Sequence, residues 1–277
     1  MLINGKQIAE NIYEKLKKEV SNLKSKPKMV VILVGEKSAS LSYIKQKQKW
    51  ANYVGIDFEL IKFEENVKET ELLRKIKELN NDQSVNGFIV QLPLPEHINE
   101  KKIINSINPK KDIDGFHPKN QGKVLIGDNS GFVPCTPAGI IEILKYQKIN
   151  LEGKVACVIG KSNIVGKPIT SLLINAGATV ISCNSKTKNL RKFTTIADII
   201  IIATGVPKML KVDMIKVGAT IIDVGFTVLD GKIYGDADTE LIDIAGNNIT
   251  PVPGGVGALT VCMLMKNTVK AYRMQKK

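Results

Sequence analysis

Apolar and polar positions follow two rhythms along this chain. Ile8, Ile12, Leu16, Val20 and Leu23 recur at helical spacing, which predicts an amphipathic helix over 8–23 ended by Pro27. An unbroken apolar run comes next at 29–34 (MVVILV), the mark of a buried strand, and Gly35 turns the chain. Ser38 or Ser40 is expected to cap a second helix that runs to about Tyr53 and stops at Gly55. Beyond it lie a partly alternating strand at 57–63, a helix at 70–79, a buried strand at 87–90 (GFIV) and a helix at 100–107. Thr136 is expected to cap a helix to about Lys145. Apolar runs at 154–159, 178–183, 199–203 and 219–224 then alternate with helical segments, and 261–272 reads as the last helix. Strands alternating with helices throughout give the α/β class, as two α/β domains meeting near residues 135–150.

The second half is organised around KVACVIGKSNIVGKPITSLLINA, residues 154–176. It reads as strand, glycine turn, helix: Gly160 ends the strand, Gly166 closes the turn, and Pro168 suits a first helical turn. Ile169, Leu172, Leu173 and Ala176 recur at helical spacing, and Gly177 stops the helix. Such a turn offers unpaired N–H groups and a positive dipole end to a phosphate. The spelling G-x-S-x-x-x-G departs from the usual dinucleotide fingerprint, so a ligand-free βα turn is an equal reading of the motif alone. About 20 residues on, where an NAD site wants an acidic residue, Asn184, Ser185, Lys186 and Thr187 stand instead. With Lys161 in the turn, hydroxyls and cations favour the 2′-phosphate of NADP over NAD. Lys186 and Lys188 also read as solvated loop charges.

Composition narrows the class. The chain has 277 residues, 43% of them hydrophobic, enough for a core and too many for wholesale disorder. No apolar run reaches the ~20 residues of a membrane span, and the first residues lack the apolar stretch of a secretory signal. Cys135, Cys157, Cys183 and Cys262 are scattered, which argues against a zinc site or disulfide framework and fits a reducing cytoplasm. His97 and His117 are too few for a histidine-based metal site. The net charge of +13 raises nucleic acid as a partner, but the lysines are spread along the chain and aromatics are only 5%. A positive field equally attracts a small anionic substrate.

The first half carries its own chemistry. On the predicted second helix, Ile44, Ala51, Lys47, Val54, Tyr43 and Trp50 share one face, while Lys45 and Lys49 point elsewhere. An amine in an apolar stripe loses solvation for its charged form, so its pKa falls and it becomes usable as acid and base. Tyr43 lies one turn before it. A lysine whose stem packs while its amine reaches water is the competing reading. Gln91 comes directly after the 87–90 strand, at the carboxyl end where parallel sheets bind ligands, and Pro93 stiffens the exit from that strand. Asp112-Ile113-Asp114-Gly115 is either an Asp-Gly turn or a carboxylate set to accept N–H donors from a heterocycle; no further carboxylates stand at cation-site spacing. Cys135 has no recognisable base near it and is read as structural.

Taken together, Tyr43-x-x-x-Lys47, Val90-Gln91-Leu92-Pro93-Leu94-Pro95, Lys111-Asp112-Ile113-Asp114-Gly115, Pro134-Cys135-Thr136-Pro137, the 160–168 turn and the 251–257 loop resemble the bifunctional methylenetetrahydrofolate dehydrogenase/cyclohydrolase family over essentially the whole chain. The resemblance implies a folate-binding catalytic domain at 1–138, a Rossmann-like NADP-binding domain at 139–259, a helix over 260–277 returning to the first, and a substrate cleft between the domains. It implies oxidation of 5,10-methylenetetrahydrofolate to the 5,10-methenyl form with NADP, then hydrolysis to 10-formyltetrahydrofolate. By the same pattern Lys47 is the essential lysine of hydrolysis, Tyr43 packs on the substrate, Gln91 tunes the lysine and Asp114 holds the pterin ring. Leu92, Pro93, Pro253, Gly254 and Gly255 would also line the substrate. Gly160, Lys161, Ser162, Ile164, Val165, Gly166, Ser185, Lys186, Thr204, Gly205 and Phe226 would line the cofactor. Expected partners are tetrahydrofolate derivatives, polyglutamylated or not, and a second copy joined through the nucleotide-binding domains, with no nucleic acid and no membrane.

The chain departs from the family pattern at four positions. Lys161 stands where Arg is frequent, Asn184 for His, Ala258 for Pro and Phe226 for Ile. Lysine keeps the charge of Arg and loses its bidentate fork. A dehydrogenase without hydrolytic activity, an NAD-preferring variant and a basic nucleic-acid-binding α/β protein are the alternatives.

Overall fold

The structure is a computed structural model and describes residues 1–36 and 38–276; the side chains of Ser38 and Ala39 also lie outside it, so the Ser38 cap is among what is not described. Two compact units emerge. One comprises Asn11–Lys123, Asn129–Cys135 and Val261–Lys277; the other Met1–Glu10, Val124–Asp128 and Thr136–Thr260. The expected single break after residue 138 is therefore not what is found at the N-terminus. The first ten residues group with the later unit because backbone pairs them there. The Ile3 N–H donates to Ile249 O at 2.8 Å and the Ile249 N–H to Met1 O at 3.1 Å.

In the first unit, β1 (Lys28–Val34) runs parallel between β2 (Asp57–Phe63) and β3 (Gly87–Val90), giving the order β2-β1-β3. Helices α1 (Gly5–Ser21), whose first residues belong to the other unit, α2 (Ser38–Val54), α3 (Glu69–Asn81) and α4 (Glu100–Ser106) accompany it. Val30, Ile32, Phe88 and Val90 of the strands pack on Leu72 and Ile76 of α3 and Ile103 of α4. Central β1 is buried along nearly its whole length and edge strand β2 only partly, which is why one reads as a solid apolar run and the other as broken alternation. Ser40 lies inside α2 and does not cap it. A short helix, α5 (Pro118–Leu125), was not legible in the sequence, where Gly122 interrupts its pattern.

The second unit holds a five-stranded parallel sheet. Its strands are β4 (Val155–Ile159), β5 (Thr179–Cys183), β6 (Ile199–Ile202), β7 (Thr220–Asp223) and, after the antiparallel hairpin β8 (Thr227–Leu229) and β9 (Lys232–Tyr234), β10 (Asn248–Ile249). The order β10-β7-β6-β4-β5 puts β5 and β6 on opposite sides of β4. The β4/β6 boundary is thus the topological switch point, outside whose carboxyl ends open α/β sheets bind ligands. Helices α6 (Cys135–Tyr146), α7 (Gly166–Asn175), α8 (Arg191–Thr194) and α9 (Thr239–Ile244) connect the strands. Four consecutive isoleucines make β6 fully buried at the sheet centre.

Two helix starts differ from expectation. Helix α6 begins at Cys135, so Thr136 is not its cap; the Thr136 hydroxyl pairs instead with that of Thr260 at 3.0 Å. The last helix, α10 (Val256–Gln275), starts five residues before 261, because the glycine-rich 251–257 segment turns directly into it.

Candidate active site

Helix α2 sets Lys47 among buried neighbours. Ile44, Ala51 and Val54 are buried on its inner face, Lys45 and Lys49 are exposed, and Lys47 itself is only 8% exposed. Its amine does not reach water by snorkelling; Nζ donates to Oε1 of Gln91 at 2.7 Å. Gln91 is fixed from both sides. Its backbone N–H extends the ladder to Ile32 O at 2.8 Å, and its side-chain Nε2 donates to Leu92 O at 2.7 Å. With the amide nitrogen so engaged, the amide oxygen must face the lysine. Burial lowers the Lys47 pKa, while the negative charge of Asp114 partly opposes the fall.

The two carboxylates of the Asp112–Asp114 turn divide their work. Buried Asp112 accepts from the N–H groups of Phe116 at 3.2 Å and His117 at 2.9 Å and from Asn120 Nδ2 at 2.7 Å, so it builds the turn. Asp114 takes no part in those bonds. Burial, with Asp112 adding, pushes its carboxyl up to about 6 against the lowering effect of Lys47 and a hydrogen bond from Cys135. Gly115 sits at φ 74, and a Cβ there would lie 2.7 Å from Pro134 N, which is how this turn reaches the segment leading into α6.

Cys135, expected to be structural, belongs to this cluster. It is buried, donates to Ile113 O at 3.5 Å, and its thiol is pushed up by burial and by Asp114. Asn267 of α10 is a further member that the sequence did not single out. Its Nδ2 donates to Ile113 O at 2.8 Å and Val133 O at 3.1 Å, clamping both segments. The one available signal was an amide within the apolar VCMLMKNTV run. Tyr43 is half-buried on the same helix as Lys47, its phenol raised by burial. Leu92 is half-buried and Pro93 exposed, just past Gln91.

Pro253, Gly254 and Gly255 belong to the other unit. There the Lys6 N–H donates to Gly254 O at 3.2 Å.

In that unit the 160–166 turn is closed tightly. Gly160 has φ 130 and a Cβ on it would lie 2.4 Å from Ala203 O; a Cβ on Gly166 would lie 2.1 Å from Gly160 O. One expectation is corrected here. The first N–H groups of α7 are not all unpaired, because the Ser162 hydroxyl accepts from Val165 N–H at 3.1 Å and Gly166 N–H at 3.3 Å. Ser162 O accepts from Lys167 N–H at 3.0 Å. Lys161, Ser162 and Ile164 are exposed on this turn. The neighbouring β5 end lies alongside, since Gly160 N–H donates to Cys183 O at 2.9 Å. Asn184 Oδ1 accepts from Lys186 N–H at 3.0 Å, presenting exposed Ser185 and Lys186. A glycine cradle closed to any Cβ, with two exposed lysines and hydroxyls on adjoining strand ends, fits a phosphorylated dinucleotide.

At Thr204 and Gly205, expected to line the cofactor, the backbone N–H groups donate to Asp236 Oδ2 at 2.5 and 2.9 Å. Phe226 is exposed after β7. Among the described residues no group of three or more His, Cys, Asp or Glu gathers to hold a metal ion, and no helix is long and apolar enough to cross a membrane.

Comparison with known proteins places the chain in a family. Residues 3–114 match a family model described as the tetrahydrofolate dehydrogenase/cyclohydrolase catalytic domain, and 134–276 match its NAD(P)-binding domain. The bifunctional protein FolD of Exiguobacterium sibiricum is 48% identical over 276 residues, 99% of each chain. The crystal structure of the bifunctional FolD methylenetetrahydrofolate dehydrogenase/cyclohydrolase from Campylobacter jejuni is 47% identical, covers 99% of both chains and superposes with a TM-score of 0.97. The Trypanosoma brucei enzyme complexed with NADP cofactor and inhibitor is 32% identical, with a TM-score of 0.94 over 100% of this chain and 98% of that one. A lysine–glutamine pair in one unit, a glycine cradle in the other and matches along nearly the whole chain converge, and the chain belongs to the tetrahydrofolate dehydrogenase/cyclohydrolase family.

Proposed function

We propose that this chain oxidises 5,10-methylenetetrahydrofolate to 5,10-methenyltetrahydrofolate and hydrolyses that product to 10-formyltetrahydrofolate. In a chain of this family, the observation that carries the reading is a buried lysine, bonded to Gln91 and electrostatically coupled to Asp114.

Hydrolysis of a cationic methenyl group needs a water deprotonated on attack and a proton returned to the leaving nitrogen. Lys47, with its pKa lowered by burial, is suited to take the first proton and supply the second. A cationic substrate would lower it further. Gln91 orients the amine by accepting from it. Asp114 would accept N–H donors of the pterin ring, and Tyr43 would pack on it. The remaining substrate contacts proposed are Leu92, Pro93, Pro253, Gly254 and Gly255.

NADP, when bound, supplies the hydride acceptor. Gly160 and Gly166 would let its phosphates approach the backbone, and Lys161, Ser185 and Lys186 would hold the 2′-phosphate. Hydride transfer asks chiefly for alignment of two carbons, so this unit needs no acid–base side chain. We also propose a homodimer joined through the nucleotide-binding units, substrates with or without polyglutamate tails, and residence in the cytoplasm. The four buried free thiols support a reducing compartment.

The test monitors absorbance of the methenyl form in purified protein given methylenetetrahydrofolate and NADP. It should rise and then decay. Absence of folate-dependent reduction of both NADP and NAD overturns the reading; rise with decay no faster than in buffer leaves a dehydrogenase only.

A further inference from the structure

Two buried carboxylates stand at the carboxyl ends of β6 and β7. Asp236 is fully buried, and its Oδ2 accepts three donors: Thr204 N–H at 2.5 Å, Thr204 Oγ1 at 2.9 Å and Gly205 N–H at 2.9 Å. Its Oδ1 is buried without a hydrogen-bond partner and lies so close to Gly225 that a Cβ there would sit 2.2 Å away. Asp223, also buried, accepts from the N–H groups of Gly225 at 2.8 Å, Asp236 at 3.0 Å and Ala237 at 2.8 Å. Among the described residues neither carboxylate pairs with a lysine or arginine, although Lys208 and Lys211 both pair with nearby Asp238. Three donors on each carboxylate offset part of the cost of burying negative charge without a cation, and Asp236 Oδ1 is the atom left without one.

The position in the sheet gives that remaining charge a use. Thr204 and Gly205 cap β6 beside the switch point, where a dinucleotide lies across the sheet with its two halves on opposite sides. The exposed lysines serve the β5 side; the carboxylates serve the β7 side. Of the chemical groups in such a ligand, only the oxidised nicotinamide ring is cationic, and reduction removes that charge.

We propose that Asp236, supported by Asp223, is a positioning residue that holds the Thr204–Gly205 amides and makes the cofactor site favour the oxidised, cationic dinucleotide over the reduced one. The inference rests on the NADP reading above. The bias suits an enzyme that must take up the oxidised form and release the reduced.

The experiment is a binding titration by protein fluorescence with NADP and, separately, NADPH, on the intact protein and on Asp236→Asn. Asparagine keeps an acceptor for Thr204 and Gly205 and removes the charge. The dissociation constant for NADP should rise about fivefold to tenfold while that for NADPH changes less than about twofold. A purely structural role would move both together, and an equal change in both, or none, overturns the proposal. If the unaltered protein binds neither form, the cofactor reading itself has failed. Should Asp236→Asn not fold, Asp223→Asn is read by the same ratio, and an unchanged ratio there overturns the proposal.

Discussion

The amine of Lys47 lies 2.7 Å from Oε1 of Gln91, and the glutamine is held so that only its oxygen can face the lysine. This pair gives a lysine on an amphipathic helix one orientation, while burial lowers its pKa.

Replacing Lys47 with Met should separate the two activities. Hydrolysis should fall by about two to four orders of magnitude, the usual worth of a general acid–base group, while NADP reduction persists and the methenyl product accumulates. Because the charged amine is desolvated in the fold, the variant should melt at or above the temperature of the parent chain, as measured by calorimetry.

Asp114 predicts an acid limb. Its folded pKa, about 6, lies above the ordinary 3.8, so the acceptor form is lost as pH falls through about 6. The kcat/KM for folate substrate should drop on that side, and Asp114→Asn should flatten the limb while weakening substrate binding. The stability sign is opposite. A raised carboxyl pKa favours the protonated fold, an advantage fully present below about 3.8 and lost by about 6. Asp114→Asn should therefore gain melting temperature at pH 7 relative to the parent and gain less at pH 4.

Lys111 is buried, and its Nζ donates to the carbonyls of Leu79 at 2.8 Å and Asp82 at 2.6 Å, closing the end of α3. Lys111→Met should leave these acceptors unpaired and cost about 2 kcal/mol in urea unfolding. Affinity for NADP, which belongs to the other unit, should be unchanged.

Gly160→Ala should be far more damaging than its size suggests. The backbone is left-handed there, and the methyl would meet Ala203 O at 2.4 Å. We expect a loss of about 2 kcal/mol or more and NADP binding weakened beyond detection by titration.

Lys161→Ala and Lys186→Ala should each raise the dissociation constant for NADP about tenfold and leave that for NAD within about twofold, since only the former carries a 2′-phosphate for them to meet. Equal effects on both cofactors would remove these lysines from the phosphate site.

Much of this protein was legible in one dimension. The solid apolar runs that became β1, β3, β4 and β6 were readable because a strand buried on both faces has no polar positions to disguise it. The inward face of α2 was readable because 3.6-residue periodicity assigns every side chain a direction, so the sequence alone places Lys47 between Ala51 and Val54. Glycines at 35, 55, 160 and 177 marked turns because they stand at positive φ, where other residues rarely go.

What only the tertiary structure decided is pairing. Periodicity gives a side chain its direction and not its partner. It therefore could not say that Gln91 meets Lys47, which only the family resemblance implied, that Asp112 rather than Asp114 builds the turn, or that Asn267 clamps residues 113 and 133 from more than 130 positions away. Nor could it show that Ser162 takes the first donors of α7, or that Asp236 takes those of Thr204 and Gly205. Hydrogen bonds are satisfied by whatever lies close in space, and closeness across a long chain is fixed by how sheets and helices pack, which no local pattern encodes.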